Sequence, residues 1–243
     1  MPRFFIENAP ENGLIYITGE DAHHIARVLR MKPGEELTAC DGAGTDYLCT
    51  FERLEDGAAV CRVGGEEPSR GEPTVRATLF MALPKSDKMD LIVQKATELG
   101  VHAIVPFAGA RCVSKPDEKS MGKKLVRWQK IVREAAMQSG RGVIPEVMPC
   151  VSFKKAVQMA AELDLALFLY ESERLNGARA VLSAEKYTTV GLMVGPEGGF
   201  DPAEAEAAVQ AGMKSVSLGP RILRCETAPL AALTAVMYES GNL

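Results

Sequence analysis

The feature that most restricts how this 243-residue chain folds lies between Thr188 and Ala228. There an apolar run, Val190-Gly191-Leu192-Met193-Val194, leads straight into Gly195-Pro196-Glu197-Gly198-Gly199-Phe200. A second run, Lys214-Ser215-Val216-Ser217, leads into Leu218-Gly219-Pro220-Arg221-Ile222-Leu223-Arg224-Cys225-Glu226-Thr227-Ala228. Each reads as a strand that enters a Gly/Pro turn and then opens a helix. Turns at the carboxyl ends of strands are where open α/β sheets bind ligands. Three glycines within five residues remove Cβ atoms where another backbone or a ligand must come close. The first helix is well punctuated, with Asp201 at its cap, Pro202 at its first position, Glu204 at capping-box spacing and Gly212 as its stop. The second, from about Thr227 to Ser240, carries Leu230, Leu233, Val236 and Met237 among alanines and almost no charge, which predicts burial in a core or an interface. The first turn has neither the Gly-Lys-Ser/Thr of a P-loop nor the GxGxxG of a dinucleotide fold.

The rest of the chain divides by period. From Val75 onward, apolar strands at Thr78–Leu83, Ala103–Phe107 and Leu165–Tyr170 alternate with helices from Asp87 to Leu99, from about Gly122 to Ser139 and from Phe153 to Leu163. That alternation predicts an α/β domain with a mostly parallel sheet over 73–243. Residues 1–72 read differently, as short strands around Asn12-Gly13, Asp41-Gly42 and Asp56-Gly57 turns. They predict a small β-barrel interrupted by one helix, Thr18 to Arg30, with Ile25, Val28 and Leu29 on one face. The polar stretch Gly64–Pro73, full of breakers, is the expected linker.

Composition excludes several classes. No apolar run approaches the length needed to cross a bilayer, and the amino terminus lacks a signal-peptide pattern, so the expectation is a cytoplasmic protein. The six cysteines form no CxxC pair and the three histidines stand far from any cysteine pair, so neither a metal site nor disulfides are expected. Net charge is −4, but Arg111 to Arg133 holds eight basic residues against two acidic ones. Arg27, Arg30 and Lys32 form a smaller cluster. Local density of this kind matters more to a phosphate backbone than the overall sum, although one such cluster also suits a solvated helix face.

The wording of the two loops, GPEGGF followed by LGPRILRCETA, resembles the SPOUT class of RNA methyltransferases. More closely, it resembles the bacterial 16S ribosomal RNA uridine N3-methyltransferases of the RsmE type. Further matching stretches are His23-His24 through Arg30, Leu83 to Asp90, Gln94 to Gly100, Arg127 to Lys130 and Glu134 to Arg141, so the resemblance runs from Arg3 to Ala228. It implies a PUA-like RNA-binding β-barrel over 1–72 and a SPOUT domain with a trefoil-knotted carboxyl-terminal region over 73–243. It also implies a homodimer that acts on 16S ribosomal RNA, in the assembled small subunit, with S-adenosylmethionine as methyl donor. On that reading Leu169, Gly195, Glu197, Gly199, Leu218, Gly219, Ile222 and Leu223 form the cofactor pocket. The candidate RNA contacts are Arg3, Arg27, Arg30, Lys85, Lys88, Arg111, Lys115, Arg141 and Arg221. Uridine N3 is a poor nucleophile until it loses its imide proton, so a base or a cation that stabilises the anion is required. Glu197 and Glu226 are candidates for the first role and Arg224 for the second, while either glutamate also suits loop bonding or a helix dipole. Cys225 departs from the family's commoner threonine, with the expected loss of a hydroxyl hydrogen bond. Two other readings fit fewer residues: a non-catalytic RNA-binding protein, and an enzyme that binds a nucleotide phosphate at the first turn.

Overall fold

The computed structural model describes residues 1–114 and 116–243, and Lys115, one of the candidate RNA contacts, lies outside them. The chain forms two compact units. One is Met1–Glu72 together with Ala136–Ile144, and the other is Pro73–Ala135 with Pro145–Leu243.

The first unit is a five-stranded sheet of β1 (Arg3–Phe5), β2 (Leu14–Ile17), β3 (Glu36–Cys40), β4 (Thr45–Glu55) and β5 (Ala58–Pro68), in the order β1-β3-β4-β5-β2. Its core gathers Phe4, Ile15, Ile17, Ile25, Leu37 and Phe51. Two local features differ from the sequence expectation. Strand β5 runs on through Gly64-Gly65 to Pro68, because a bulge at Gly64, opposite Leu48/Cys49, lets Gly65 and the residues after it keep pairing with β4. Only the end of the expected linker is therefore linker. The expected helix is instead a short α1 (Gly19–His23) that continues as a π-helix over His24–Leu29 and stops at Arg30, whose φ is 53°. The wider π turn breaks the expected apolar face: Ile25 is buried, while Val28 is 62% exposed.

The second unit is a parallel sheet of seven strands: β6 (Arg76–Ala82), β7 (Ala103–Ala108), β8 (Glu146–Val147), β9 (Val151–Ser152), β10 (Leu165–Leu169), β11 (Thr189–Val194) and β12 (Lys214–Val216). Their order is β12-β10-β11-β6-β7-β8, with β9 also paired to β7. Burial is almost unbroken along β10 and β11, as expected when helices cover both faces. The helices are α2 (Lys88–Glu98), α3 (Glu118–Ser139), α4 (Phe153–Ala161), α5 (Ala178–Ala184), α6 (Pro202–Gln210) and α7 (Ala228–Glu239), and α4, α6 and α7 pack directly on these two strands. The nearly uncharged α7 packs on β6 and β11 beside α2 and α5, so its apolar side is spent in the core. Helix α3 starts four residues before the expected Gly122, since the Asp117 carboxylate accepts the Ser120 N–H at 2.7 Å and caps it. Helix α5 had no counterpart in the sequence reading. Among the described residues all six cysteines are free thiols, no cluster suits a metal ion, and no helix is long and apolar enough to cross a membrane.

Candidate functional site

Strand register builds the site. Met81 pairs with Val194, Val194 with Leu169, and Leu169 with Val216, so four neighbouring strands finish in one row. The row spans the point where strand order reverses, since the chain leaves β6 toward β7 on one side and returns through β10 to β12 on the other. The segments that follow these strands must therefore emerge side by side. Three of them enclose a cavity of about 480 Å³, ordinary for a small-molecule site. The segment after β11 contributes Gly195 to Gly199, the segment after β12 contributes Ser217 to Cys225, and the segment after β10 contributes Tyr170, Glu171 and Arg174.

The first loop is firmly held. Phe200, 2% exposed, lies against Phe168 with ring centroids 4.2 Å apart, parallel to the Phe107 ring and tilted against Phe153. Asp201 and Glu204 form the expected capping box at the start of α6. Glu204 also accepts the Ala110 N–H at 2.8 Å, and Arg111 donates to the Gly198 carbonyl at 3.1 Å. Gly199 has a φ of 66°, a conformation that favours glycine, and a Cβ there would push the Glu171 carboxylate aside. The second loop is pinned chiefly at its ends. Ser217 donates its N–H to the Asn176 carbonyl at 2.8 Å and accepts the Ala178 N–H at 2.9 Å. Cys225, 7% exposed, closes the other end.

Beside the cavity, Lys88 Nζ lies 3.0 Å from Glu197 Oε1 and 3.0 Å from Glu226 Oε2. Glu197 also accepts the Lys85 N–H at 3.1 Å, and the Cys225 thiol donates to Glu226 at 3.2 Å. Burial works to raise the Glu197 carboxyl, but hydrogen bonds from its own backbone, Lys88 and the Lys85 N–H outweigh it and hold the group at about 2. The hydrogen bond from Lys88 likewise lowers Glu226. The two carboxylates in turn raise Lys88, Glu226 first. Burial, then the bond to Glu226, pushes the Cys225 thiol up to about 12, so it stays a protonated donor. A thiol hydrogen bond is thus made where the family's commoner residue carries a hydroxyl.

The sequence-predicted residues thus separate. Leu169, Gly195, Glu197, Gly199, Leu218, Gly219, Ile222, Leu223, Arg221 and Arg224 all line the cavity, and Glu226 stands behind it on Lys88. Arg221 and Arg224 are exposed and make no ion pair among the described residues, as do Lys85, Arg27 and Arg30. Other expected RNA contacts have internal partners. Arg141 is 3% exposed and forks onto Glu72 at 2.7 and 3.2 Å, and Arg3 pairs with Asp46. Arg111 serves the first loop and Lys88 the two glutamates. Sequence reasoning missed the wall formed by Tyr170, Glu171 and Arg174. The rule that placed the other two loops, a turn at the carboxyl end of a strand, applies equally to Leu169 and would have found it.

Two sequence families match this chain. One, described as an RNA methyltransferase domain, matches residues 71–237, well over half the chain. The chain belongs to the RNA methyltransferase family. The other, described as the RNA methyltransferase PUA domain, matches residues 17–64. Among relatives of this RNA methyltransferase, the Ribosomal RNA small subunit methyltransferase E of Bacillus subtilis is 38% identical over 100% of this chain and 98% of its own length. The protein of the same name from Aquifex aeolicus is 33% identical over 96% of this chain and 98% of its own. A crystal structure of Ribosomal RNA small subunit methyltransferase E from Neisseria gonorrhoeae, bound to S-adenosyl methionine, superposes with a TM-score of 0.85. It is 34% identical, over 98% of this chain and 97% of that one. These matches span both units, the PUA-like one and the parallel α/β one.

Proposed function

We propose that this RNA methyltransferase binds S-adenosylmethionine in the three-walled cavity and methylates N3 of a uridine in small-subunit ribosomal RNA. The observation that carries the reading is the cavity itself, closed by two glycine-containing loops at the ends of β11 and β12, the parallel strands on either side of β10. The methyl donor supplies an activated methyl group on a positively charged sulfur. The residues fit such a group. Leu169, Leu218 and Leu223 offer apolar contact for a ring, and loop backbone groups offer hydrogen bonds. Glu171 adds a carboxylate at the mouth with no ion pair among the described residues, which suits a cationic ligand.

The chemistry asked of the protein is placement and charge. In-line placement of nucleophile and methyl group supplies much of the rate. Glu197 and Glu226 are poor bases while Lys88 holds their protons off, so we assign them to the loops. Arg224, exposed at the cavity and with no ion pair among the described residues, is the residue we assign to the uridine anion, lowering the cost of losing the imide proton. Arg221 beside it faces the phosphates, and Arg27 and Arg30 on the amino-terminal unit add RNA contacts. A trefoil-knotted carboxyl-terminal region belongs to the same reading. A homodimer that acts in the cytoplasm on the assembled subunit completes the reading.

Mass mapping of small-subunit RNA from cells with and without the gene tests it. The expected result is loss of one N3-methyluridine signal, restored by the wild-type gene. An unchanged methyluridine pattern would defeat the substrate assignment. Adding the purified chain with S-adenosylmethionine to naked RNA or to whole subunits from the deletion strain then separates the two substrates.

A further inference from the structure

Resting on that reading of the cavity, we infer that Lys88 is a positioning residue whose ammonium ties both cavity loops to the start of α2, and that methyl-donor binding depends on this tie. Glu197 belongs to the first loop and Glu226 to the second, and Lys88 meets one carboxylate of each at 3.0 Å. The lysine comes from a firm base. It opens α2, whose next residues inward, Met89 and Ile92, are buried in the core. The turn before it is specially shaped: Ser86 has a φ of 55°, and the Lys85 N–H is aimed at Glu197. Non-glycine residues in the left-handed region persist where the surroundings over-determine them.

The tie is electrostatically necessary. Without Lys88, two carboxylates share a half-buried spot, and like charges so placed repel. The remaining side-chain neighbour, Cys225, is a neutral thiol that donates to Glu226 and adds no positive charge. The loops must then separate, and a cavity formed between them changes shape. Lys88 itself does not line the cavity, so its effect on a ligand there passes through the two glutamates.

Calorimetric titration of the full chain with S-adenosylmethionine and with S-adenosylhomocysteine tests this. We expect Lys88→Gln to weaken both ligands about tenfold, and Lys88→Gln with Glu226→Gln to recover about threefold, because the second change removes the repulsion. Lys88→Arg, which keeps the charge, stays within about threefold of wild type. Lys95→Gln, on the same helix but paired with Glu98, leaves affinity unchanged. A purely structural lysine gives no recovery in the double variant, and that result overturns the tie. Equal binding by wild type and Lys88→Gln overturns it as well. If the single variant does not fold, the double variant decides, since binding as tight as wild type again overturns the tie. Wild-type protein that binds neither ligand overturns the donor reading as a whole.

Discussion

The two loops of the cavity are similar in composition and opposite in construction. The first runs from Gly195 to Asp201 and ends on a buried phenylalanine, a capping box and an arginine bonded to its backbone. The second runs from Ser217 to Thr227, and between its fastened ends Arg221, Ile222 and Arg224 stand in solvent, Ile222 at 81% exposure. One wall is part of the core and the other is a flap of surface chain. Damage to the first should therefore appear as lost stability, and damage to the second as lost turnover.

The sharpest way to break this contrast is to exchange the two kinds of damage. Phe200→Ala removes a buried ring packed among Phe107, Phe153 and Phe168 and should cost about 3–5 kcal/mol in denaturant unfolding. A loss below about 1 kcal/mol would mean that the first loop is not anchored in the core. Arg224→Ala should leave unfolding and donor affinity near wild type and lower turnover on ribosomal RNA roughly 100-fold. Full activity in that variant removes our assignment for the arginine.

Smaller effects sharpen the comparison. Gly199→Ala meets both an unfavourable φ and the Glu171 carboxylate, and should cost roughly 1–3 kcal/mol together with donor binding. Unaltered calorimetry would show that the loop gives way freely. Glu197 adds a pH signature. Its folded pKa of about 2 lies below the ordinary carboxylate value, so its contribution is present above the unfolded pKa and lost as pH falls through about 2. The stability gap between wild type and Glu197→Gln should therefore shrink on acidification, and a gap that stays constant excludes the ion pair as its cause. Ile222→Ala, at the other extreme, should change stability by less than about 0.5 kcal/mol.

Much of this arrangement was legible in the residues. The loop pair could be read because Gly, Pro and cap residues act locally, as the capping box at Asp201 and Glu204 illustrates. The sheet could be read because fully apolar strands such as Leu165–Leu169 have few other uses. What escaped depends on distant partners. The charge of Arg141 suggested a surface, yet the side chain is buried and pairs with Glu72, 69 residues away. The pairing of Lys88 with Glu197 escaped because only the register of β6 beside β11 brings the two residues together. The π-helix at His24–Leu29 escaped because hydrophobic spacing cannot distinguish a wide turn from an ordinary one.

The level finish of four strands has a consequence for how such a chain tolerates change. Extra residues inserted beyond the row at Met81, Val194, Leu169 and Val216 lengthen a loop and leave its neighbours where they were. One residue inserted inside β11 turns every following side chain over and carries Gly195 and Phe200 to the wrong layer. Length variation in descendants of this gene should accordingly collect outside the ladder, with the strands kept to an unvarying count.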